Sequence, residues 1–262
     1  MKFIYLFAFT LLFFSCKKAN NSKHLAFNNS TIVEDKTSNN DIKITPIEHA
    51  TAVLEWNNKT IYIDPFGGAM AFKKQNKPDL ILITDIHGDH LSIKTLNELQ
   101  LTNATTIVAP QAVYNKLPKT LQKQTTLLAN NESKNINGIK ITGVPMYNLR
   151  DGVTFHAKGR GNGYIIKLGS KNVYFSGDTE DIEEMRSLKN IDIAFICMNL
   201  PYTMPVESAA DGVLAFKPKK VYPYHYRNKD KTLSNVSKFK ELIEASNSNI
   251  EVVQLNWYPK NN

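Results

Sequence analysis

Apolar positions along the chain change their spacing partway through. Near its start, short β-branched and aromatic runs alternate with Asn-rich turns, which predicts strands over Ile42–Ile47, Thr51–Trp56 and Thr60–Ile63. Asp79–Thr84 is a continuous apolar run, the pattern of a strand buried on both faces. From there helical segments intervene. Leu91–Leu99 and Gln111–Lys116 read as helices, the second ended by Pro118, with a strand at Thr106–Ala109 between them. Ile139–Val144, Gly163–Leu168 and Asn172–Ser176 read as strands, the last two joined by a turn at Gly169-Ser170. A helix over Asp181–Leu188 and a buried strand over Ile191–Cys197 follow. Val206, Ala209, Ala210, Val213 and Leu214 fall on one helical face. Lys220–Tyr224 is a strand, Ser234–Ala245 a helix and Val252–Leu255 a last strand. The fold class is therefore α/β, with no visible internal repeat.

The first residues differ from this pattern. Lys2 precedes an apolar run from Phe3 to Phe14, then Ser15 and Cys16. Twelve apolar residues rise about 18 Å as a helix, short of a hydrocarbon core of about 30 Å. Residues 1–16 therefore read as a secretory signal rather than a span. A cysteine directly after the run resembles a bacterial lipoprotein signal, which implies lipidation of Cys16 and a lipid anchor in the cell envelope. Residues 17–41, rich in Asn, Ser and Lys, read as a flexible tether, leaving 42–262 as the folded domain. With Cys16 lipidated, Cys197 has no partner and is expected as a buried, inert thiol. The chain's 32 Lys and Arg against 24 Asp and Glu give a net charge of +8. The positive charges are scattered lysines without an interleaved aromatic stripe, so no nucleic-acid partner is expected.

Chemistry concentrates at strand ends. After the apolar run come Asp85-Ile86-His87-Gly88-Asp89-His90, four potential ligands in six residues at a strand-to-helix turn. Side chains two apart on extended chain share a direction, so Asp85 and His87 can face one point. Asp89 and His90, at the helix start, can face a second. Asp178 in Ser176-Gly177-Asp178-Thr179 and His225 in Tyr222-Pro223-Tyr224-His225-Tyr226 also follow strands. Each has a plain alternative: helix capping for Asp89 and Asp178, core packing for His225.

The ordered set resembles the metallo-β-lactamase superfamily of metal-dependent hydrolases, whose leading motif is His-x-His-x-Asp-His. The similarity extends through Tyr62-Ile63-Asp64-Pro65 and Phe155-His156-Ala157-Lys158-Gly159, and the stretches Tyr174-Phe175-Ser176-Gly177-Asp178-Thr179 and Pro201-Tyr202-Thr203-Met204 look like the branch containing ascorbate-phosphate lactonase-like and N-acyl-phosphatidylethanolamine phospholipase D-like proteins. It implies a four-layer αββα sandwich and up to two metal ions. One site would use positions 85, 87 and 148, the other Asp89, His90 and His225, with Asp178 shared. Asp85 stands where the family has its first histidine and Asn148 where it has its third. His156 could replace the missing imidazole if its loop folds inward, and His49 could line the pocket. Two carboxylates and two imidazoles at the second site suit Zn²⁺, with Mn²⁺ or Fe²⁺ also possible. The resemblance implies a metal-activated water attacking an ester, lactone, amide or phosphodiester of a small-molecule or lipid-like substrate, with Asp89 as the catalytic residue that orients the water. Two competing readings are a metal-binding lipoprotein without turnover and a nuclease.

Overall fold

The computed structural model of the chain describes residues 41–258 apart from residue 247. The signal, Cys16 and residues 17–40 of the expected tether lie outside the described residues. Two sheets organise the rest. In the first, β1 (Lys43–Glu48), β2 (Thr51–Trp56) and β3 (Lys59–Ile63) run antiparallel. β4 (Leu80–Leu82), β5 (Thr106–Ala109) and β6 (Thr125–Leu127) then add parallel to β3, in the order β1-β2-β3-β4-β5-β6. The second sheet is built alike. β7 (Ser133–Ile136), β8 (Ile139–Met146), β9 (Gly161–Leu168) and β10 (Lys171–Phe175) are antiparallel neighbours. β11 (Ile193–Cys197), β12 (Lys220–Tyr224) and β13 (Glu251–Val252) continue from β10 in parallel.

Alternation along the strands decides what each face covers. Leu54, Ile61, Ile63, Leu80, Leu82 and Val108 from the first sheet join Ile141, Tyr164, Ile166 and Val173 from the second in one buried core. Val53, Tyr62, Ile81 and Ile107 point the other way. They pack beneath α1 (Ile93–Glu98), α2 (Gln111–Lys116) and α3 (Lys119–Gln122) through Leu96, Val113 and Leu121. α4 (Glu183–Arg186), α5 (Val206–Phe216) and α6 (Val236–Glu244) bury Met185, Val213 and Phe239 in the core of the second sheet. The result is the four-layer αββα sandwich that the sequence implies. Tyr164 of β9 ties the sheets together by donating its hydroxyl to the Ile83 carbonyl at 2.7 Å.

Several boundaries moved. The expected helix over Leu91–Leu99 begins at Ile93 because Ser92 caps it, its side chain accepting from the Thr95 amide. The helix over Asp181–Leu188 contracts to α4 behind Ile182, and the last strand to two residues. Neither Asp89 nor Asp178 is a cap residue, so their carboxylates are free for other work.

Candidate metal centre

Parallel strands put their carboxyl ends at one edge of each sheet, and the sandwich brings the two edges together. Asp64 follows β3, Asp85–His90 follow β4, Asp178 follows β10, Asn199 follows β11 and His225 follows β12. Asp64 and His225 adopt positive φ, 44° and 47°, a conformation costly for residues other than glycine and held here by dense bonding around them. Gly177 has φ 61°, and a Cβ there would lie 2.6 Å from Met146 Sδ, so the turn that presents Asp178 requires glycine.

Two clusters of ligand atoms result, one formed by Asp89, His90 and His225 and the other by Asp85, His87 and His156. Within each, the ligand atoms lie within 4.8 Å of one another. Asp178 stands between the clusters. Its Oδ2 is 3.3 Å from His90 Nε2 and 3.2 Å from His156 Nε2, and its Oδ1 is 3.3 Å from His225 Nε2. His225 Nε2 is also 3.3 Å from Asp89 Oδ2.

The pairing of these buried groups is incomplete in a way that points to a cation. His90 Nε2, both nitrogens of His156 and Asp178 Oδ1 are buried without a hydrogen-bond partner. Polar atoms in that state cost about 1–3 kcal/mol each unless something binds them. Convergent imidazole nitrogens and carboxylate oxygens are the donor set of a divalent metal ion, so the residues present fit one. Behind the Asp89 cluster, His90 Nδ1 lies 2.8 Å from Asp64 Oδ2 and 2.9 Å from Thr84 Oγ1, and Thr84 donates its amide and hydroxyl to Asp64. That network puts the proton on Nδ1 and leaves Nε2 free to ligate, the carboxylate–histidine arrangement common behind metal sites.

Charge follows the same geometry. Burial opposes the ionisation of Asp178, but the His225 and His90 imidazoles hold its carboxyl well below the usual range. Burial likewise opposes a charge on His90, yet Asp178, Asp89 and Asp64 raise its pKa well above that of a free imidazole. At Asp85, burial is outweighed by hydrogen bonding from His87, the charge of His90 and the Arg160 guanidinium, which hold the carboxyl down to about 2.

The structure corrects one expected ligand. Asn148 accepts the His156 amide on Oδ1 at 2.8 Å and donates Nδ2 to Glu180 Oε1 and the Tyr202 carbonyl. Both ends of its amide are engaged, so Asn148 braces the loop and does not face the clusters. The brace turns the loop inward and buries the His156 imidazole beside His87, ring centroids 5.0 Å apart. His49 is also displaced from the pocket. Its ring packs edge-on to His225 at 5.6 Å and to Tyr258 at 5.5 Å, and its carbonyl accepts the His225 amide.

Three further groups shape the centre without belonging to either ligand cluster. Asp64 backs His90. Arg160, at the entrance to β9, grips Asp85 with Nε to Oδ1 at 3.0 Å and Nη2 to Oδ2 at 2.8 Å. Asn199 has its Oδ1 fixed by the Thr203 hydroxyl and turns Nδ2 toward His225 Nε2 at 3.4 Å. The apolar strand running into Asp64 was a usable signal for the first. Nothing local marks the other two, whose partners lie 75 and 26 residues away. A cavity of about 230 Å³ opens onto the clusters, lined by His87, Asp89, Phe155, His156, Asp178, Asn199 and Tyr202. A larger hollow of about 540 Å³ beside Leu214 and Ile250 gathers no acid or imidazole.

This sandwich with ligand clusters at its strand ends defines a metal-dependent hydrolase of the metallo-β-lactamase superfamily, and the comparisons agree. Residues 43–225 match the Beta-lactamase superfamily domain, and the chain belongs to that family. Among related sequences it is 30% identical over 212 residues to a UPF0173 metal-dependent hydrolase of Pyrococcus abyssi, covering 77% of this chain and 92% of the relative. A Pyrococcus horikoshii relative with the same description is 32% identical over the same shares. Among solved structures, a candidate metal-dependent hydrolase from Parabacteroides distasonis is 35% identical with a TM-score of 0.73, covering 83% of this chain and 94% of that one.

Proposed function

We propose that the chain hydrolyses a small or lipid-like ester, lactone, amide or phosphodiester, using Zn²⁺ and a metal-activated water, with Mn²⁺ or Fe²⁺ as the other candidate ions. The observation that carries this reading is the convergence of unpartnered His90 Nε2 and Asp178 Oδ1 with Asp89 and His225 at the floor of an open cavity. Asp89, His90, His225 and Asp178 would hold one ion, and Asp85, His87 and His156 with Asp178 a second. A divalent ion held there would lower the pKa of a water from 15.7 toward about 7 and would polarise a substrate oxygen. Asp89, partly exposed at the cavity wall, orients the attacking water and takes its proton on a carboxylate oxygen. Asn199 Nδ2, held by Thr203, donates to the oxygen on which charge develops. Phe155 and Tyr202, edge to face at 5.0 Å on the rim, cover the apolar part of the substrate and exclude bulk water.

The protein is stripped with a chelator, reloaded with Zn²⁺, Mn²⁺ or Fe²⁺, and assayed on p-nitrophenyl esters of increasing chain length, bis(p-nitrophenyl) phosphate and an acyl lactone. Turnover should vanish on stripping and return on reloading. Metal binding without turnover in any loaded form refutes the reading and favours a binding protein. Lipidation of Cys16 is proposed on the sequence alone, supported by the cysteine directly after the apolar run. Replacing Cys16 by Ala should then move the protein from the membrane fraction to the soluble fraction, and an unchanged distribution refutes the anchor.

A further inference from the structure

With His156 in place of Asn148, both clusters have a complete donor set, yet their charges are unequal. Asp178 serves both, but the Asp89 cluster also has one uncompensated carboxylate of its own and the Asp64 carboxylate behind His90. In the Asp85 cluster the only carboxylate besides the shared Asp178 is gripped by Arg160 through two parallel hydrogen bonds. Asp85 Oδ2 carries a further load, since His87 Nδ1 sits 2.8 Å from it. A fully buried carboxylate paired with guanidinium in fork geometry is a net-neutral ligand, and the guanidinium's charge stays beside any cation that binds.

We infer that Arg160 sets the order of metal occupancy: the Asp89 cluster fills first, and the Asp85 cluster is a weaker, exchangeable position because Arg160 neutralises its carboxylate. Arg160 is thus a positioning residue, acting through Asp85 without ligating. The inference rests on the metal-centre reading under Proposed function, although it needs no turnover. An exchangeable second ion lets one polypeptide sample one-ion and two-ion forms as free metal changes.

Metal-free wild-type protein, Arg160→Met, Arg160→Lys and His156→Ala are titrated with Zn²⁺ against a chromophoric chelator, and bound zinc is counted by atomic emission. Wild type should bind one ion tightly and a second at least about tenfold more weakly. Arg160→Met should tighten the second ion by about tenfold or more and change the first by less than about twofold. Arg160→Lys keeps the charge and should keep the second ion weak, which separates charge from fold damage. His156→Ala should remove the weak class alone. Equal affinity for both ions in wild type, or a second ion unchanged or weakened in Arg160→Met, overturns the inference. If no variant, wild type included, binds zinc, the metal-centre reading falls with it. If zinc binds and restores turnover but the second affinity ignores Arg160, only this inference falls.

Discussion

The Asp89 and Asp85 clusters share Asp178 and use the same residue types, yet they are built from different material. The first rests on strand ends: His90 and His225 are buried, and Asp64 and Thr84 fix the His90 ring from behind. The second depends on a loop. His156 reaches Asp178 only because Asn148 folds its segment inward, and His87 is partly exposed. A ligand on a strand end inherits the rigidity of the sheet, whereas one on a loop needs bonds dedicated to it.

Removing the shared residue should have the largest effect. Asp178→Ala should empty both clusters and abolish turnover, measured as bound metal and rate. Full metal occupancy in that variant would refute the site. Asp64→Asn acts on one side. Loss of the carboxylate behind His90 should weaken the tight ion by about 10- to 100-fold and leave the second nearly unchanged, read by chelator competition. Equal weakening of both would show that the two clusters do not differ in this support. Asn148→Ala is the mirror experiment. It removes three hydrogen bonds, each worth about 1 kcal/mol net, and should speed amide exchange across the loop carrying His156. The second ion should weaken while the tight one holds. Cys197 gives the smallest effect. Burial pushes its thiol up to about 12, so at neutral pH no thiolate is available to either cluster. Iodoacetamide should leave the native thiol unmodified, and Cys197→Ser should shift neither affinity by more than about twofold.

How much of this the sequence disclosed depended on burial. Thr51–Trp56, Thr106–Ala109 and Lys220–Tyr224 form strands with the bounds that their apolar runs suggest. β6 and β7 escaped notice because Thr125–Leu127 and Ser133–Ile136 are polar edge strands, paired on one side only. At the centre, the strand-end candidates Asp89, His90, Asp178 and His225 announced themselves by following apolar runs. Asn148 misled because it stands where the family has its third histidine, and only the return of the loop shows that its amide is engaged. Asp64 follows its strand between Ile63 and Pro65, with no second ligand type beside it in the chain to mark it as the partner of His90. Arg160 could not be found locally, since its significance lies in a carboxylate on the other sheet.

The Asp85–Arg160 grip also bears on inheritance. If aspartate is tolerated at position 85 because a guanidinium balances it, neither residue is free to change alone. An ancestor that replaced one without the other would have carried a surplus charge in a buried centre. Among relatives, a neutral side chain at 85 should therefore accompany an uncharged residue at 160, so that the two positions drift as a pair.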